Sequence, residues 1–140
     1  MALELEALGT FTVHGKSERT WRFSRGPFGR RSVSEFEGAV WESDRVRAEA
    51  VWGNGTYRAG EEISEVNVRT MLETHDGALL YFDYLGRFRL QDMSAGNGYV
   101  IMTGRIETSD ERYDWLNATQ IVGKGAPTEG LMSYELYALG

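Results

Sequence analysis

The sequence predicts an all-β chain, an antiparallel barrel of about eight strands that is closed or nearly so. Three observations predict it. Runs that alternate in polarity, or that gather β-branched and aromatic residues, recur at short intervals along the 140 residues. Turn chemistry separates them, in "ESD", "GNG", "HDG", "SAGNG" and "GKGAPTEG". No helical pattern runs longer than two turns, so no helix is available to cover a sheet. Seventeen glycines against two prolines suit a fold of tight turns and bulges.

Leu3–His14 opens the chain with Leu3, Leu5, Phe11 and Val13 in period-two register. Arg31–Trp41 and Val46–Trp52 follow, parted by Glu42-Ser43-Asp44, whose short polar side chains favour a turn. Ser64–Thr74 and Ala78–Arg87 flank Asp76-Gly77, a strong two-residue turn signal. Tyr99–Glu107 begins after "SAGNG", and Trp115–Gly123 and Met132–Leu139 stand on either side of "GKGAPTEG". No linker or repeat divides these runs, so residues 1–140 are read as one domain.

The Asp76-Gly77 hairpin can be read in register. A type I′ turn there pairs Glu73 with Leu80, Met71 with Phe82 and Arg69 with Tyr84, and a four-residue loop keeps the same pairs. One face then carries Arg69, Met71, Glu73, Leu80, Phe82 and Tyr84. The other carries Val66, Val68, Thr70, Leu72, Leu79, Tyr81, Asp83 and Leu85. Large apolar groups and charge stand on both faces, whereas a simple outer strand shows one wet and one dry side. Two expectations follow: an interior cavity with a few polar groups, and an outer face covered by a second copy of the chain.

Composition narrows the function classes. The absence of cysteine removes disulfides, thiolate nucleophiles and cysteine metal sites. A net charge of -6 opposes nucleic acid as a partner. Arg25, Arg30 and Arg31 around "GPFG" form a local basic cluster that reads as a solvated loop. No run approaches the ~20 apolar residues of a membrane span. The acidic "MALELEALG" is unlike a signal peptide, so a cytoplasmic location is expected and the sequons at Asn54 and Asn117 read as chance.

"EVNVRTMLETHDGALLYFDYLG", then "RIETSDERYDWLNATQIVGKG" and a closing "YELYALG", resemble the family catalogued as domain of unknown function 3237. The likeness extends upstream through "LELEALGTFTVHG" and "GRRSVSEFEGAVW". It implies a small antiparallel barrel of lipocalin-like and cyclase-like shape, often self-associating, with no single agreed activity. Asn67 and His75 stand where that family tends to carry acids.

Several residues could carry chemistry. Arg69 and Glu73 lie four apart on one strand face, about 13 Å from each other at ~3.3 Å per residue. Pointing inward they could grip two ends of a ligand; pointing outward they are solvated or interface charges. The resemblance favours the inward reading for Arg69. In a strand Trp115 and Asn117 share a face, and the resemblance makes it the inner one. The alternative is that Trp115 plugs a barrel end while Asn117 bonds the adjoining loop. His14 closes the first run, where it could act as an acid or base at the rim or sit as a surface histidine. His75 belongs to the turn and reads as solvated. Asp83 would be a candidate base if inward, but the predicted register sets it on the face opposite Arg69.

The reading that follows is a cofactor-free, metal-independent enzyme of isomerase, cyclase or lyase type, acting on a small hydrophobic or aromatic metabolite inside the barrel. Arg69, Glu73 and His14 are its candidate catalytic residues, and Met71, Phe82, Tyr84, Trp115 and Asn117 its candidate binding residues. A non-catalytic ligand-binding barrel and an oligomeric structural protein with a filled core are the alternatives.

Overall fold

The computed structural model describes residues 1–15, 18–128 and 131–139. Ten strands form one antiparallel sheet: β1 (Leu5–His14), β2 (Thr20–Gly26), β3 (Gly29–Glu35), β4 (Gly38–Glu42), β5 (Arg47–Ala59), β6 (Ile63–Thr74), β7 (Leu79–Arg89), β8 (Val100–Glu107), β9 (Gln120–Thr128) and β10 (Leu131–Leu139). Eight of them close a ring in the order β5-β4-β1-β10-β9-β8-β7-β6, because β6 returns to pair with β5. Closure satisfies both edges of every ring strand, which an open sheet cannot do.

The remaining hairpin, β2–β3, is grafted onto β5. That strand is long enough to serve two neighbours on one edge, with Arg47–Glu49 bonding β4 and Asn54–Ala59 bonding β3. A register shift between Ala50 and Trp52 bends it where the neighbours change. β2 was not read from the sequence. Arg31–Trp41, expected as one run, is divided between β3 and β4, and "GNG" lies inside β5 rather than in a turn. Most of "GKGAPTEG" is likewise strand, in β9; its Glu129-Gly130 lies outside the described residues, as does Gly140 of the closing "YELYALG".

The β6–β7 turn corrects the predicted register by one residue. Thr74 N–H donates to Ala78 O at 2.8 Å and Gly77 N–H to Thr74 O at 3.0 Å, so the loop is the three residues His75-Asp76-Gly77. Gly77 takes φ +89°, the left-handed conformation that three-residue hairpins need and glycine supplies without strain. The Thr74 hydroxyl secures the turn, accepting from Ala78 N–H at 2.8 Å and donating to Asp76 Oδ1 at 2.6 Å. Leu72 therefore opposes Leu80, Thr70 opposes Phe82 and Arg69 opposes Asp83. An odd slip exchanges faces between the strands. Val68, Thr70 and Leu72 point in with Leu80, Phe82 and Tyr84, while Arg69, Met71 and Glu73 point out with Leu79, Tyr81 and Asp83.

Among the described residues the interior is occupied by large packed side chains. Phe82 is fully buried and packs against Phe11, Tyr84 and Trp41 at centroid distances of 5.2, 5.3 and 6.0 Å. Tyr84 continues the chain of rings to Tyr134 at 5.5 Å, and Trp41 Nε1–H donates to Leu8 O at 2.7 Å. Inward glycines make room for these rings. A methyl group added at Gly104 would lie 2.7 Å from the Phe82 ring, and one at Gly55 would lie 2.9 Å from Phe36. Large rings leaning over bare backbone occupy the space that side chains at these glycines would otherwise take. Burial also pushes the Tyr84 hydroxyl well above its usual pKa, and that of Tyr134 up to about 12.

Candidate functional site

One end of the barrel is sealed by the segment that carries Trp115 and Asn117. It is a short 3₁₀ turn, Asp114–Ala118, and not the expected strand, because β9 begins only at Gln120. Leu116 is fully buried beneath it. Asn117 holds the preceding loop at two points: its Oδ1 accepts from Thr108 N–H at 2.8 Å, and its Nδ2 donates to Thr108 O at 3.0 Å. Trp115 is half-buried, with the Arg45 guanidinium 3.6 Å above its ring centroid. Asn117 thus bonds the adjoining loop, as the alternative for this pair had it, while the fully buried side chain of the segment is Leu116 and not Trp115.

The same seal explains Asp76. Its Oδ1 accepts from the Thr74 hydroxyl at 2.6 Å and from the Tyr113 hydroxyl at 2.8 Å, and Arg112 lies 3.2 Å from its Oδ2. These donors hold its carboxyl below the usual range, the Thr74 hydrogen bond contributing most. Arg112 also forks onto Asp110, at 2.8 Å from Oδ2 and 3.0 Å from Oδ1, and brings that carboxyl down to about 2. The perturbed groups here tie a hairpin tip to the end seal.

The other predicted residues are not brought together. Arg69 and Glu73 are exposed on the outside of β6, and Met71 is half-buried between them on the same side. Phe82 and Tyr84 lie in the packed interior, so none of the three outer residues shares a cavity with them. His14 is at the far end of β1, paired with Gly38 and Leu131, with β4 and β5 between it and β6. The odd-length turn is the physical reason for the separation, because it assigns the apolar half of the predicted face to the core and the charged half to the surface.

A different set converges on the outside. Where β5 bends, β4, β5 and β6 form a cleft of about 550 Å³, with Val40, Ala50 and Val51 as apolar lining. Arg47, Glu49, Glu73 and His75 line it as well. Glu49 and Glu73 are direct cross-strand partners, and His75 N–H donates to Arg47 O at 2.9 Å. None of these four side chains makes an ion pair with another described residue. The alternation in "RAEAV" was a usable signal for it, since it turns Arg47 and Glu49 outward while Ala48 stays buried. Among the described residues no cluster of His, Asp and Glu could hold a metal ion. No helix among them is long and apolar enough to cross a membrane.

Comparison with known proteins places this architecture. No curated protein matched the chain. A β-barrel-like protein from Acinetobacter baumannii AYE is 25% identical, superposes with a TM-score of 0.88 and is matched over 98% of its length by 100% of this chain. A conserved protein of unknown function from Rhodopseudomonas palustris gives 18% identity and a TM-score of 0.88, with 100% of this chain covering 99% of it. An enzyme from Penicillium herquei is more distant, at 16% identity and a TM-score of 0.66, with coverage of 100% and 96%. The sequence profile described as protein of unknown function (DUF3237) matches residues 3–139, and the chain belongs to that family.

Proposed function

We propose that the protein acts on a small hydrophobic or aromatic molecule by acid–base chemistry in the outer cleft between β4, β5 and β6. The observation that carries this reading is the contrast between an interior occupied by packed side chains and an outer cleft holding His75, Glu49 and Glu73 without ion-pair partners among the described residues. Histidine is the side chain suited to exchanging protons near neutral pH, and carboxylates beside it can orient it or take the proton on. Val40 and Val51 offer an apolar seat, and Arg47 a cation for developing negative charge. The Penicillium herquei protein supports the reading to the extent that a barrel of this shape carries an enzyme there.

Phenylacetone, an enolisable aryl ketone, provides the test. In deuterated buffer the protein should speed exchange of its α-hydrogens, and His75→Asn or Glu73→Gln should each remove at least tenfold of that acceleration. Amide shifts on titration should appear at residues 40–51 and 73–75. Shifts at those positions without exchange would favour the binding-only barrel. Shifts confined to Phe82 and Tyr84, or none at all, would refute the cleft reading.

As an alternative use of the same face, one that occupies Glu73 and Val51 and so excludes the cleft reading, we propose that two copies pack through the outer face of β5, β6 and β7. Val51, Trp52 and Leu79 are 59, 50 and 53% exposed there, next to half-buried Met71 and Tyr81. Among the described residues Arg69 hydrogen-bonds Asn54 Oδ1 alone, at 3.4 Å, and Glu73 faces Glu49. A two-fold axis crossing β6 at Met71 sets Arg69 of each copy against Glu73 of the other, which relieves both imbalances. Light scattering should give twice the 15.8 kDa chain mass. Arg69→Glu should yield monomers, and adding Glu73→Arg should restore the pair; a monomeric wild-type protein refutes it.

A further inference from the structure

A second concavity lies across the graft between the β2–β3 hairpin and the barrel. Arg31, Thr56, Arg58, Glu65, Asn67 and Leu85 line a groove of about 220 Å³. Its charge is unbalanced. Glu65 takes Arg58 at 2.7 Å on one oxygen and Arg87 at 2.7 Å on the other, so a single carboxylate serves two guanidinium groups. Arg31 is the direct cross-strand partner of Arg58, and like charges so placed repel. Arg31 is half-buried and makes no hydrogen bond or ion pair with any described residue. Three arginines against one acid leave two positive charges in a chain whose total is -6.

Aromatic surface adjoins the arginines. Phe23 is the register partner of Arg31, and Trp21 that of Val33, which in turn pairs with Thr56. Cross-strand partners project to the same side of a sheet, so both rings stand on the groove's side. Phe23 and Trp21 are 60 and 50% exposed. Asn67 and Thr56 add an amide and a hydroxyl to the lining.

We propose that this groove binds the carboxylate of a small aromatic acid. The Arg31 guanidinium forms the paired hydrogen bonds that a planar carboxylate fits, and the ligand ring lies against Phe23 and Trp21. A groove of this size admits a carboxylate and part of one ring. The bound anion replaces the repulsion between Arg31 and Arg58 with attraction. The site is separate from the β4–β5–β6 cleft, and neither depends on the other.

Benzoate, acetate, benzyl alcohol and inorganic phosphate, each titrated into the full chain and followed by amide and arginine Nε–H NMR shifts, test the proposal. Benzoate should move signals of Trp21, Phe23, Arg31, Thr56 and Arg58. Acetate lacks the ring and should bind several-fold more weakly; benzyl alcohol lacks the charge and should not bind. Arg31→Met should weaken benzoate at least tenfold, while Arg31→Lys, which keeps the charge but not the fork, should lose less. Unchanged circular dichroism would show that both variants fold. The proposal is overturned if benzoate leaves these signals in place, if Arg31→Met binds it as the wild type does, or if phosphate binds more tightly than benzoate.

Discussion

Replacing Phe82 by alanine separates a filled barrel from a hollow one. Phe82 is fully buried and meets three other rings within 6.0 Å centroid to centroid. Its ring also covers the backbone at Gly104, where no side chain could move in to replace it. Phe→Ala changes in packed cores cost about 3–5 kcal/mol, and the loss of three ring pairs places this one at about 4–5 kcal/mol. Were the ring one wall of a chamber, only the transfer cost of its buried side would be lost, about 2 kcal/mol or less. Urea unfolding followed by fluorescence of the four tryptophans gives the difference directly, provided that the m-value stays constant. Phe82→Leu should lose about 1–2 kcal/mol and keeps the comparison available if the alanine variant is too weak to study. The alanine variant should also take up benzene and gain melting temperature from it, as the wild type should not. A loss below about 2 kcal/mol, or equal benzene uptake by both proteins, would refute the packed interior.

Three further outcomes follow from the seal and the buried rings. Asp110 and Asp76 have depressed folded-state values, so the stability they contribute is present above the usual carboxylate value of 3.8 and is lost as pH falls below it, for Asp110 towards about 2. Acid unfolding of an Asp76→Asn, Asp110→Asn double variant should be less steep through that window, measured by circular dichroism. Tyr84 and Tyr134 have raised values, so their contribution holds below pH 10 and is lost as pH rises above it, for Tyr134 towards about 12. Tyr134→Phe should flatten that alkaline loss in melting temperature. Asn117→Ala removes two hydrogen bonds to Thr108 and should cost about 1–2 kcal/mol by urea unfolding, with hydrogen exchange quickening at residues 108–118.

Much of the fold was legible because strand periodicity and turn residues act locally. β1, β6, β8 and β10 lie within two residues of their expected limits at each end. The site was less legible because it depends on parity. "THDG" admits loops of two, three or four residues, and only the odd one exchanges the faces of Arg69 and Phe82. The clue was present in Thr74, whose hydroxyl can close a three-residue turn and does so. Trp115-Leu116-Asn117 misled for another reason. Its pattern suits a strand, but the buried Leu116 and the Asn117 clamp on Thr108 favour one tight turn, a tertiary demand that local pattern does not contain. β2 escaped notice because every residue from Trp21 to Arg25 is exposed, so burial had left no alternation to read.

The divided edge of β5 has a consequence for how such a protein can change. The ring of strands is complete without the β2–β3 hairpin, since β4 and β6 together bring β5 into it. Arg31, Phe23 and Trp21 all belong to that appended hairpin, whereas Phe82, Trp41 and Tyr134 belong to the ring. Substitutions in the hairpin's share of the proposed groove and substitutions among the packed rings therefore fall on different pieces of chain. A lineage could exchange one hairpin for another and keep its barrel intact.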